Sequence, residues 1–480
     1  MPVPSLEFFG FTFIVATLFR LAPKAQWRRA IMLVANVVFL AGFASKPAAY
    51  TPLAAFLAFG YAALHVIQGG DVRSPPTSGA FVFAILAAFV WLKKYSFVPR
   101  DALLPFPYVV VGLSYIFFRV LHLLIDASQD ALPERIRLID YLGYTLNFSC
   151  LVSGPIQRYQ DYARVGPSAP APLDVLVTGE ALERIITGFF KVSVVSVALL
   201  ALHDHALGTL SSEQALGERV LLGVAIIALY PLYLYANFSG YTDCVIGAGR
   251  ILGLVLPENF ARPFTAANFM DFWSRWHITL SSWLKTYVYS PLLLISMRRL
   301  ASPYFEPWLA VAAFFVTFFL VGVWHGQTSE FLFFGVLQGG GVAVNKLYQI
   351  MMTTRLGRRR YRALCENLAY RSLARGMTFA WFAFTLLWFW SNWRQLGTLA
   401  STLGSVTCLV VGVALVIIAD IALVALEAVR SCARRWLWLG GPILLSRYWR
   451  TVWGTTLAVV SFAVLAVMNM KAPDIVYQAF

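Results

Sequence analysis

Residues 314–326 read FFVTFFLVGVWHG. They run into the polar break Gln327-Thr328-Ser329-Glu330 and then into FLFFGVLQGGG at 331–341. Two apolar runs joined by a short polar turn read as a pair of membrane helices. In hydrocarbon the helix pairs every backbone N–H and C=O within the segment itself. His325 sits inside the first run, between Trp324 and Gly326. An imidazole at membrane depth needs water, a partner or a task, because lipid offers it no hydrogen bond. A second histidine, His277, lies upstream in DFWSRWHITLSSWLKTYVY. Two such histidines in one membrane chain point to acid–base chemistry within the bilayer.

The rest of the chain agrees with a membrane reading. Its 480 residues are 59% hydrophobic and 13% charged, against about 25% charged in soluble domains. The mean hydropathy is +0.69. An all-α polytopic integral membrane protein is expected. Length alone allows two or three soluble domains, but apolar segments fill nearly the whole chain, so residues 1–480 read as one integral domain. The net charge of +15 would raise nucleic acid in a soluble protein. Here Lys and Arg cluster in short loops, as orientation signals and anchors for membrane lipids, and no nucleic-acid partner is expected. The cysteines (150, 244, 365, 408 and 432) show no CxxC spacing, so neither a metal site nor a disulfide framework is expected. The first apolar segment lacks a basic lead and a small-residue cleavage site, and reads as a retained helix.

Apolar segments recur along the chain, among them 181–201, 217–236, 239–256, 276–296, 307–324, 329–350, 376–391 and 402–427. Several are short or interrupted, so about 11 transmembrane helices are expected, the remainder being re-entrant or interfacial. Two basic loops, 355–375 and 430–450, are placed on the cytoplasmic side by the positive-inside rule. A proline-rich stretch, GPSAPAPLD at 166–174, reads as a surface loop.

Polar residues are densest over 235–291. Asn237, Asp243, Arg250, Glu258, Arg262, Asp271, Arg275, His277 and Lys285 all fall there. Each charge at the bilayer centre costs about 2.5–3.5 kcal/mol on insertion scales, so these groups must sit at interfaces, pair, or line a wet cavity. Asp271 and Arg275 are four apart and are expected to pair. Trp273 and Trp276 read as interfacial anchors, with His277 one turn beyond Trp273 on the same helix. Pro257, Pro263 and Gly240 imply broken backbone. For His277 and His325 alike, a buried hydrogen-bonded packing role competes with a chemical one. The polar turn after His325 favours chemistry there, because it admits water or substrate. His203 and His205, in HDHA, end an apolar segment and read as interfacial. His65 and His122 read as packing residues. There is no GxSxG elbow, Walker A or GxGxxG motif to support a hydrolase or nucleotide-driven reading.

Three blocks resemble the membrane-bound O-acyltransferase family. The first is Ser153-Gly154-Pro155-Ile156-Gln157-Arg158-Tyr159. The second runs from Asn237-Phe238-Ser239-Gly240-Tyr241-Thr242-Asp243 through Pro257-Glu258-Asn259-Phe260 to DFWSRWHITLSSWLKTYVYSPL. The third is Val323-Trp324-His325-Gly326 with the Phe-rich run after it. The resemblance covers roughly residues 110–345. It is closest to the bacterial subgroup that acylates extracytoplasmic polymers, alginate and teichoic acid among them. It departs from the family pattern at Asn237, where an acid is usual, at Gln327–Glu330, and at Gln338-Gly339.

The resemblance implies a helical bundle with a central tunnel, in a bacterial inner membrane. His325 aligns with the family's catalytic histidine and His277 with its second polar position. Asn237, Asp243, Arg275, Trp273, Trp276, Ser281, Trp324 and Arg158 would line the tunnel or bind substrate. No tightly bound cofactor or metal is expected. The co-substrate would be an acyl thioester, acetyl-CoA or the phosphopantetheine of an acyl carrier protein, approached from the cytoplasm. The acceptor would be a hydroxyl of an extracytoplasmic polysaccharide, reached directly or through a periplasmic acyltransferase partner. D-Alanyl transfer towards teichoic acid is the nearest alternative. A proton-coupled transporter or flippase, or an inactive scaffold, would suit the same intramembrane charges.

Overall fold

The structure, a computed structural model, describes residues 3–69, 75–132, 135–152, 154–164, 170–211, 215–300, 302, 304–439 and 447–468. Ser153 of the first family block, 166–169 of the proline-rich stretch and 440–446 of the second basic stretch lie outside them. Among the described residues every regular element is helical, and β-type pairing is confined to an isolated bridge between Phe260 and Trp276. Among the described residues five helices are long and apolar enough to cross a membrane: Pro47–Gln68, Val175–Thr209, Leu216–Leu252, Glu306–His325 and Ser405–Cys432. Pro76–Leu92 and Arg450–Val464 are shorter apolar helices.

Three boundaries differ from the sequence reading. Segments 217–236 and 239–256 form one helix, Leu216–Leu252, and Gly240 lies inside it rather than at a break. Another helix passes close beside it: a Cβ on Gly188 would stand 2.5 Å from the Gly240 carbonyl oxygen. Small residues there serve close helix approach, at a propensity cost of only about 1 kcal/mol each. The broken backbone falls instead after Leu252, where the chain is irregular as far as Asn268 apart from one short turn, Pro263–Thr265. Nor is 355–375 a loop. Ser329–Glu366 and Leu368–Thr385 carry the basic residues on helix, with non-helical backbone at Gly357 (φ 76) and a turn at Asn367. Arginine is a strong helix former, so charge does not end a helix that leaves the lipid.

The chain clusters into two compact units. The first comprises residues 1–190, 238–258 and 465–480, the second 191–237 and 259–464. In the first, buried charge is neutralised locally. Arg119 is almost wholly buried and donates to the carbonyls of Tyr144 (3.2 Å), Thr145 (2.9 Å) and Cys150 (3.0 Å). Two of these belong to the end of helix Leu138–Thr145, where orphan carbonyls favour a cation. His122 is not a lone packing residue. Its Nδ1 lies 3.3 Å from Asp126, and its Nε2 accepts from the Tyr159 N–H at 3.2 Å. Tyr159, the last residue of the first family block, is thereby tied to helix Leu113–Ser128.

In the second unit the helices 306–325 and 329–366 form a hairpin packed through glycine. A Cβ on Gly322 would lie 2.4 Å from the Gly335 backbone, and one on Gly339 2.5 Å from the Phe315 carbonyl oxygen. Beyond the hairpin, Phe379, Ala380 and Ala383 of helix Leu368–Thr385 pack on Val411, Leu415 and Ala419 of helix Ser405–Leu439. The short helix Leu387–Trp390 follows.

Candidate functional site

His325 is the last residue of its helix and is 3% exposed. The chain leaves it through Gly326 in extended conformation (φ −160°). No side chain fits there, because a Cβ on Gly326 would stand 2.0 Å from the Phe331 ring. Three rings surround the imidazole: Trp324 (4.6 Å between centroids), Phe389 (5.1 Å) and Phe334 (6.0 Å). The Trp324 ring is also 6.3 Å from His277. One indole therefore contacts both histidines, which the sequence separates by nearly fifty residues.

His277 is 1% exposed and has left-handed backbone (φ 46, ψ 53). Helix Phe269–Trp273 ends before it and Ile278–Leu284 begins after it. It is therefore not on one helix with Trp273, contrary to the sequence reading. A non-glycine residue in this conformation is held against a penalty of about 1–2 kcal/mol. Asn259, wholly buried, does the holding. Its Oδ1 accepts from the Thr279 hydroxyl (2.8 Å) and the Thr279 N–H (3.2 Å), and lies 3.2 Å from His277 Nδ1. Its backbone carbonyl accepts from the Ile278 N–H at 3.0 Å. The Thr279 N–H can only donate, so the amide atom facing it is the oxygen, and His277 Nδ1 must carry a proton. In the neutral ring Nε2 then bears the lone pair.

The two tryptophans expected at the interface are in the core. Trp273 packs on Phe318 at 5.1 Å. Trp276 stacks on Phe272 at 5.6 Å, with Phe382 (5.0 Å), Phe260 (5.2 Å) and Tyr235 (6.1 Å) around it. The clustered rings bury more apolar area than an interfacial position would, which outweighs a headgroup contact for the indole N–H. Asp271 and Arg275 pair at 2.8 Å as their spacing predicts. Ser281 closes the turn after His277 through its N–H to the His277 carbonyl, 3.0 Å. Asn237 is buried on helix Leu216–Leu252, two residues beyond Tyr235.

Thus His277, His325, Trp273, Trp276, Arg275, Ser281, Trp324 and Asn237 all belong to the second unit. Arg158 and Asp243 belong to the first. There Asp243 meets Arg184 at 3.0 Å, and Arg184 also grips Glu258 at 2.5 Å. Arg158 is exposed.

The sequence profile of the membrane-bound O-acyltransferase family matches residues 80–389, which takes in the whole of this arrangement and more than half of the chain. The chain belongs to the membrane-bound O-acyltransferase family. With its apolar helices, this makes it a multi-pass membrane protein. The match extends past 110–345 on both sides and reaches Phe389, the ring against His325. The chain is 30% identical over 231 residues to the teichoic acid D-alanyltransferase of Bacillus subtilis, covering 47% of this chain and 56% of that protein. It is 27% identical over 332 residues to the probable alginate O-acetylase of Pseudomonas fluorescens, covering 67% and 61%. A shorter stretch, 119 residues, is 39% identical to the peptidoglycan O-acetyltransferase of Helicobacter pylori, covering 25% and 21%. The chain thus spans between about a fifth and three-fifths of the length of these curated relatives.

Two residues of this candidate site were not assigned a part from sequence. Asn259 stood in a quoted block without a role, and its hydrogen bonds to a helix start eighteen residues away leave no local signature. Phe389 is one apolar residue in an apolar run. Replacing Asn259 by alanine removes the shared acceptor of a buried cluster, so Asn259→Ala is expected to destabilise the protein by about 1–3 kcal/mol. Asn259→Asp, which still accepts, should retain most of the difference. Thermal unfolding in detergent measures both, and equal midpoints for Ala and wild type would contradict the assignment.

Proposed function

We propose that the chain is an O-acyltransferase that moves an acyl group, acetyl in the first instance, from a cytoplasmic thioester to a hydroxyl of an extracytoplasmic polysaccharide. A periplasmic partner enzyme would relay the group where the polymer is not reached directly. The observation that carries the reading is the pair of buried histidines on one indole, in a chain of this family.

In the proposed reaction neutral His325 takes the proton of the acceptor hydroxyl as its oxygen attacks the thioester carbonyl. The tetrahedral intermediate collapses by breaking the C–S bond. The thiolate leaves and recovers a proton from the His325 imidazolium, so the base is regenerated. Two roles are open to His277, orienting the acceptor or donating to the oxyanion. Its Nδ1 proton faces Asn259, and a neutral Nε2 accepts rather than donates. That supports the first role: His277 holds a substrate hydroxyl in line for attack.

The charge pattern supports an orientation in an inner membrane. The helix from Ser329 to the arginines at 355–362 runs about 40 Å, a bilayer's full thickness. With those arginines cytoplasmic, the turn after His325 lies towards the far side, where the acceptor arrives.

Transfer from radiolabelled acetyl-CoA, in membranes carrying the protein with cell-envelope polysaccharide as acceptor, tests the proposal. Base-labile label in the polymer supports it. Label that appears only when a D-alanyl carrier protein replaces acetyl-CoA assigns the D-alanyl branch, for which the Bacillus relative is the precedent. No esterified label from either donor, with the partner present, overturns it.

A further inference from the structure

The sequence places His203 and His205 at the interfacial end of an apolar segment. The structure separates His203 from its neighbour Asp204. On helix Val197–Thr209 the Asp204 side chain is 64% exposed, whereas that of His203 is 4% exposed. The His203 Nδ1 lies 3.0 Å from the Asp204 carboxylate. An ionised carboxylate only accepts, so Nδ1 donates and Nε2 of the neutral ring holds a lone pair. That Nε2 is buried and makes no hydrogen bond among the described residues. Leaving it unpaired is unfavourable, and a donor from outside the chain would recover that loss.

The surroundings indicate which donor. The Trp390 ring stands edge-on to the imidazole at 4.9 Å and 89°, and Tyr230 lies at 5.7 Å, with Tyr233 5.6 Å beyond it. Aromatic faces beside a carboxylate and an imidazole acceptor suit a sugar, whose C–H faces pack on rings while its hydroxyls donate. The place also fits. Phe389, next to Trp390 on the same short helix, packs on His325. The helix end at Thr209, the turn after His325 and the turn at Ser391–Asn392 gather here. Trp393 donates to Ser329 at 2.9 Å, and Leu210 packs with Leu403.

We propose that His203, with Asp204, Tyr230 and Trp390, forms an acceptor subsite that binds a sugar hydroxyl of the polymer through Nε2, next to the reacting centre. This rests on the acyl-transfer reading above. His203 takes no part in proton transfer to the thioester, so it governs acceptor binding and not the chemical step.

The test uses membranes carrying the full chain, radiolabelled acetyl-CoA, and oligosaccharides cut from the envelope polymer and stripped of esters by base. His203→Ala is expected to raise the acceptor KM about tenfold, with the saturated rate and the acetyl-CoA KM unchanged. His203→Gln, whose amide oxygen still accepts, should recover most of the loss. Asp204 is exposed, so Asp204→Ala folds whatever becomes of the first variant, and it should raise the acceptor KM about threefold. An unmoved acceptor KM in either alanine variant, as a buried water on Nε2 would give, overturns the subsite. So does a loss confined to the saturated rate. Should wild type transfer nothing, the acyl-transfer reading fails while the subsite stays testable. Calorimetry of the same oligosaccharides with the protein in nanodiscs then shows binding by wild type and loss in His203→Ala, and equal binding or none overturns it.

Discussion

His325→Gln is expected to insert and fold like wild type and to transfer acyl groups at between about one-hundredth and one ten-thousandth of its rate, the range a positioned general base contributes. Glutamine suits the test because it fills similar space and keeps a hydrogen-bonding head among Trp324, Phe334 and Phe389. The loss then reads the missing base and not a cavity. Membrane yield and thermal midpoint in detergent should stay near wild type while label no longer reaches the polymer. A variant that keeps a tenth or more of the rate removes His325 from the proton transfer. His277→Ala should lose less in the saturated rate and more in acceptor affinity, as befits a group that orients the hydroxyl.

Gly322→Ala is expected to have a large structural effect for a single added methyl group. The added carbon would lie 2.4 Å from Gly335 Cα, from Gly335 N and from the Phe331 carbonyl oxygen. All three are backbone atoms, so no rotamer change relieves the clash, and the two helices of the hairpin must part. Overpacking of this kind costs about 1–3 kcal/mol, and more where the neighbours cannot yield. Gly340→Ala on the partner helix is the matched control, because nothing lies within 4 Å of its added carbon. Alanine's better helix propensity should make that change neutral or stabilising by up to about 1 kcal/mol. The thermal midpoints of the two variants should therefore move apart. Equal midpoints would show that the hairpin does not close as tightly as described.

The sequence was legible where a residue's chemistry conflicts with lipid. His325 and His277 stand out for that reason, and the Asp271–Arg275 pair follows from spacing alone. It was misleading where one residue type has two stable homes. Trp273 and Trp276 suit a headgroup belt or an aromatic core equally well by composition, and only the rings at 260, 318 and 382 decide between them. Gly240 looked like a break because a glycine in a strip of polar residues reads the same whether it bends a helix or seats a neighbour. His203 read as interfacial because it ends an apolar segment, but a helix places consecutive residues about a hundred degrees apart, so it faces inward while Asp204 faces out. The hold of Asn259 on His277 could not be foreseen, since it joins two segments whose meeting depends on the fold.

The glycine seam between residues 306–325 and 329–366 also fixes a register. Gly322, Gly335 and Gly339 seat the facing backbone where phenylalanines flank it. A slip of one helix along the other by a turn, about 5.4 Å, would bring a ring such as Phe319 into a seat that has no room for it. The hairpin therefore has one register, and with it one placing of the His325 imidazole against Phe334 of the facing helix. That placing is held by backbone approaches inside the protein.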